Sequence, residues 1–82
     1  MNRTLYAALD DLSMAHTGAA RMDDWVNSGK VTAWMFDGAT EEEFARLAAA
    51  RSAAARLAAE LSALRAAICE RLMREADAAD RR

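Results

Sequence analysis

The chain is poor in the residues from which small folds build cross-links and active sites. It has one cysteine, Cys69, and one histidine, His16, among 82 residues. A lone cysteine excludes an intrachain disulfide, and one cysteine with one histidine falls short of the ligand set of a structural zinc site. A single thiol also fits a reducing compartment. The three glycines are scattered and form no phosphate-cradling loop, and no serine or cysteine sits in a recognisable nucleophile motif. No run approaches the roughly 18 apolar residues of a membrane span. Asp10 and Asp11 interrupt the first apolar stretch, which therefore does not read as a signal peptide. There is one lysine, and the net charge of -2 gives no mandate for nucleic acid or a membrane surface. These absences point to a non-enzymatic, cytoplasmic protein without cofactor or metal. At this length a single core is marginal without disulfides, metals or oligomerisation, so association is the remaining support.

What the chain does have is alanine, leucine and a heptad-like rhythm. Leu47, Ala50, Ala54, Leu57, Leu61, Leu64 and Ile68 recur at alternating steps of three and four. That spacing keeps one seam of a helix facing a neighbouring helix along its length. It predicts a long amphipathic helix over residues 41–79, with those seven residues as an oligomer interface. Leu5, Ala8, Leu12, Ala15, Ala19, Met22 and Val26 repeat the rhythm, and Leu9 widens the stripe. They predict a first helix over about 4–27, started by Asn2 or Thr4 as N-cap and continuous through Thr17-Gly18. Ile68, Leu72 and Met73 extend the apolar face toward the C-terminus, where the shorter first helix is expected to leave an overhang.

Turn chemistry separates these elements. Asn27-Ser28-Gly29-Lys30 is a stop, with Gly29 suited to the left-handed conformation that ends a helix. Val31–Phe36 is too short for its period to decide between strand and helix, but a lone strand would have no partner, so a short helix over 31–36 is expected. Asp37-Gly38-Ala39 makes the next turn. Thr40-Glu41-Glu42-Glu43 reads as a capping box, and its glutamates suit the positive end of the helix dipole. Glu42/Arg46, Arg56/Glu60, Glu70/Arg74, Arg71/Glu75 and Asp77/Arg81 stand four apart and describe a solvated face. Residues 80–82 are expected to fray.

Charge is unevenly spread. Residues 1–40 are acidic through Asp10, Asp11, Asp23, Asp24 and Asp37, whereas residues 44–69 carry Arg46, Arg51, Arg56 and Arg65 against Glu60 alone. Adjacent helical residues point about 100° apart, so neither aspartate doublet converges on one ion by itself. His16 lies near the apolar stripe and reads as a core or boundary residue, and Cys69 as a small buried hydrophobe. The strongest hint of function is apolar: Trp25, Val31, Trp34, Met35 and Phe36 crowd around one turn in a chain with few aromatics. Such a group either caps the end of a bundle or grips another protein, a role in which tryptophan is enriched.

These readings combine into one all-α domain over residues 1–82: a helical hairpin with a short intervening helix and one long C-terminal helix, paired into a four-helix-type homodimer. The function they imply is a small protein–protein interaction module, an adaptor, assembly factor or inhibitor of a larger complex. By size and charge alone it is comparable to small inhibitors of defence systems borne by phages or mobile elements. Its partner-binding residues would be Trp25, Val31, Trp34, Met35 and Phe36. The alternative is a small nucleic-acid-binding regulator using Arg46, Arg51, Arg56 and Arg65, although the steps of five between the first three spiral round the helix.

Overall fold

The computed structural model describes residues 3–80. Three helices follow one another: α1 (Arg3–Val26), α2 (Gly29–Phe36) and α3 (Glu41–Asp80). The fold is all-α. α1 runs without a break through Gly18 and packs antiparallel along α3, while α2 folds over the N-terminal end of α3. The result is a thin rod, 65 × 17 × 15 Å. The proposed cap at Asn2, the tail residues 81 and 82 and the Asp77/Arg81 pair lie outside the described residues.

The helix ends follow from side-chain chemistry. The Asn27 side-chain amide donates to the Asp23 carbonyl at 2.9 Å and satisfies one of the acceptors left open at the end of α1. Ser28 is extended (φ -75°, ψ 164°), its N–H donates to the Trp25 carbonyl, and its own carbonyl accepts from Thr32 N–H. α2 thus begins at Gly29, two positions before the expected start. Gly29 is its first residue and not a left-handed terminator. The glycine that takes the left-handed conformation is Gly38 (φ 104°), in the turn from α2 to α3. Asp37 N–H closes α2 on the Ala33 and Trp34 carbonyls. At the start of α3, Thr40 Oγ1 accepts from Glu43 N–H at 3.2 Å, which is the forward half of the capping box. Of the pairs expected on the solvated face, Glu42–Arg46 (3.8 Å) and Arg71–Glu75 (3.2 Å) form among the described residues. Both are exposed and add at most about 0.5 kcal/mol each.

The seam between α1 and α3 is rotated from the one the apolar spacing suggests. Along α3 the residues turned toward α1 are Leu47, Arg51, Ala54, Ala58, Leu61, Ile68 and Leu72, while Ala50, Leu57 and Leu64 stand outside and exposed. Along α1 the inward line is Leu5, Leu9, Leu12, His16, Ala19, Asp23 and Val26, while Ala8, Ala15 and Met22 are exposed. Two arginines of α3, the half-buried Arg51 and the exposed Arg65, reach across to α1. Arg51 Nε donates to the Val26 carbonyl at 2.9 Å, and Arg65 Nε donates to Ser13 Oγ at 3.1 Å. Arginine tolerates such a place because its aliphatic stem packs on apolar neighbours while its head finds acceptors.

These two bonds also fix the register. Val26 lies beside Arg51 and Ser13 beside Arg65, which brings Arg3, Thr4 and Tyr6 alongside Leu72, Ala76 and Ala79. α2 covers the first turns of α3, so α1 is displaced toward the C-terminal end. The expected C-terminal overhang is therefore largely covered. An open apolar trough runs along one side of the rod between α1 and α3, and further large apolar side chains, Met14, Phe36, Phe44 and Met73 among them, are exposed outside it.

The core is small. Ala19, Val26, Val31 and Leu47 are the buried hydrophobic residues among those described, and none has its side chain fully hidden. Val26, Val31 and Leu47 cluster where the three helices meet, with Met35 and Ala54 packed against them.

Candidate functional site

α2 divides the aromatic and apolar cluster that the sequence singles out. Val31 and Met35 stand four apart, on one helical face, and turn inward: Val31 is 3% exposed and Met35 rests on the core. Both belong to the folded interior. Phe36 lies about 140° round the helix from Val31 and is 88% exposed. Trp34 is 41% exposed, and Trp25, on the last turn of α1, is 61% exposed.

Two surfaces result. On one side of the rod Trp25 and Trp34 border a groove floored by Val26, Leu47 and Ala50, with Glu42, Glu43 and Arg46 at its edge. The groove continues past Trp25 into a trough of about 680 Å³ between Gly18 and Met22 on α1 and Ala50, Ala53 and Leu57 on α3. Arg21 is the one charged residue lining that trough. On the other side, Phe36 and Met35 meet Phe44, Thr32 and Arg51 in a smaller hollow. Phe44 escaped the reading of the sequence. Its position three before Leu47 was the available signal, and it was masked by the three glutamates before it.

The seven residues of the expected oligomer seam also divide. Leu47 is buried inside the chain, and Ala54, Leu61 and Ile68 are half-buried toward α1. Ala50, Leu57 and Leu64 are left on the outer flank, with Leu57 and Leu64 each about half exposed (49% and 50%).

The arginines of the nucleic-acid alternative are not gathered on one face. Arg51 and Arg65 are engaged with α1, Arg46 pairs with Glu42, and Arg56 is exposed on the outer side of α3. Arg51 acts instead as a structural tether. Its guanidinium supplies positive charge and a donor to the carbonyl end of α1, where the helix dipole favours a cation, and its Nη2 contacts Met35 Sδ at 3.6 Å. Asp10, Asp11, Asp23 and Asp24 lie on α1 and Asp37 in the turn before α3, His16 lies on the half-buried line of α1, and Cys69 is a half-buried free thiol on α3. No helix among the described residues is long and apolar enough to cross a membrane. No family model matches the chain, and neither the curated proteins nor the solved structures include a significant match to it.

Proposed function

We propose that this chain is a non-enzymatic, cytoplasmic protein-interaction module, a helical hairpin that uses exposed aromatic side chains to hold a larger protein. The observation that carries this reading is the placement of the aromatics. Tyr6, Trp25, Trp34, Phe36 and Phe44 are all 40% exposed or more, while the core is made of alanine, valine and leucine. Aromatic rings contribute most when they are buried, and a chain that leaves every one of them outside is using them for contact with something else. Trp34 and Phe36 stand at the tip of the rod, on the short helix that can enter a partner's hollow without disturbing the α1–α3 seam. An adaptor or an occluding inhibitor would be built in this way.

The test is affinity capture from a host extract with the wild-type chain, Trp34→Ala and Phe36→Ala, alongside circular dichroism. Both variants are expected to keep the wild-type helical signal and to lose a protein that the wild type retains. Retention of that protein by both variants would refute the reading.

A further inference from the structure

We propose that the apolar flank formed by Met22 and Trp25 on α1 and Ala50, Ala53, Leu57 and Leu64 on α3 is the docking face for a second copy of this chain, two hairpins packing layer on layer into a four-helix bundle. The inference rests on reading exposed apolar surface as binding surface, and it names the first occupant of that surface.

Area is the first argument. The chain exposes 6545 Å² for a mass of 8.9 kDa, whereas a compact folded monomer of that mass exposes about 4,800 Å². The excess of about 1,700 Å², taken over the whole rod, is large enough to contain the roughly 800 Å² per partner of a standard interface or the lower part of the roughly 1,000–2,500 Å² per chain of obligate homodimers. The radius of gyration agrees: it is 18.6 Å, against about 12 Å for a compact domain of this length. A flat two-helix layer has this shape, and a second layer is what completes it.

Periodicity is the second argument. Ala15 and Met22 on α1, and Ala50, Leu57 and Leu64 on α3, recur at intervals of seven on the same flank. Residues at that interval stay within about 20° per heptad of one line along a helix, so they can follow a neighbouring helix over several turns, and a second hairpin of this sequence offers helices of the same pitch. The third argument is shape. A two-fold interface must be complementary to itself, and this flank carries both protruding side chains (Met22, Trp25, Leu57) and hollows (Gly18, Ala50, Ala53). The opposite flank lacks these features along its middle, where Ser13, Ser62 and Arg65 lie and the Arg65–Ser13 bond is made.

Sedimentation equilibrium on the full chain, from nanomolar to high micromolar concentration, tests the proposal with Leu57→Asp on the proposed face and Ser62→Asp on the opposite one. The wild type and Ser62→Asp should sediment at twice the 8.9 kDa chain mass. Leu57→Asp should pair about a hundredfold more weakly or worse, because each dimer would bury two carboxylates. If Leu57→Asp unfolds instead, the wild-type melting temperature decides: it should rise with concentration for a pair and stay constant for a lone hairpin. A wild type at single-chain mass throughout overturns the proposal and leaves the flank to a foreign protein. So does a Leu57→Asp chain that pairs as well as the wild type. A single-chain wild type that still captures a protein through Phe36 overturns this inference and spares the functional reading. A flank-dependent pair whose Trp34 and Phe36 variants capture like the wild type does the reverse.

Discussion

The two flanks of the hairpin are made by the same two helices and differ in what they do with them. On one, Met22, Trp25, Leu57 and Leu64 stand outside an alanine-floored trough. On the other, Ser62 and Ser13 surround a polar bond from Arg65 that crosses the seam. Both helices have more apolar stripe than a single neighbour can cover, since an amphipathic stripe is at least about 100° wide while a two-helix seam uses only its middle. Arg51 and Arg65 bond α1 at Val26 and Ser13, while Ala50, Leu57 and Leu64 stand outward on the other flank. Polar bonds across the seam thus go with an open apolar trough on the other flank.

The comparison can be broken most severely at the seam both flanks share. Leu47 is 7% exposed and joins Val26 and Val31 at the junction of the three helices. Leu47→Ala is expected to lose about 2–5 kcal/mol, the usual cost of such a truncation. Because the core has few other members, this should erase much of the cooperative urea transition. A loss below about 1 kcal/mol would mean that the junction is not what holds the hairpin.

A smaller effect sharpens the comparison on the polar side. Arg51→Met keeps an apolar stem of similar reach and removes the donor to the Val26 carbonyl. The expected cost is about 1.5–3 kcal/mol, the range for hydrogen bonds to charged groups. It should appear as a lower urea midpoint together with faster amide exchange in the last turn of α1. Unchanged exchange there would show that Arg51 does not secure that end.

The helices were legible in the sequence because their signals are local. Thr40 bonds Glu43 N–H as its spacing implies, and the three-four rhythm marks both long elements. The phase of the seam was not legible. Counting apolar residues selects Ala50, Leu57 and Leu64 over Arg51, Ala58 and Arg65, because nothing in that count rewards an arginine that finds a carbonyl on the neighbouring helix. The overhang was misplaced for a related reason: register depends on where α2 folds, and α2 is too short for its period to announce a face. Within α2, however, the helical interval does separate Val31 and Met35 from Phe36, and so distinguishes core from surface once the segment is known to be helical. Gly29 and Gly38 are alike in sequence context, and only the backbone shows that Gly38 takes the left-handed turn.

The central claim is that the Trp25–Leu57 flank is covered by another copy of the chain. Iodide quenching of a Trp34→Phe chain during dilution tests it most directly, since Trp25 is then the sole tryptophan and it lines that flank. The expected result is weak quenching at high micromolar concentration that becomes strong as the protein is diluted and the flank uncovered, with helicity retained at intermediate dilution. Full quenching at every concentration, in a folded chain, would contradict the claim.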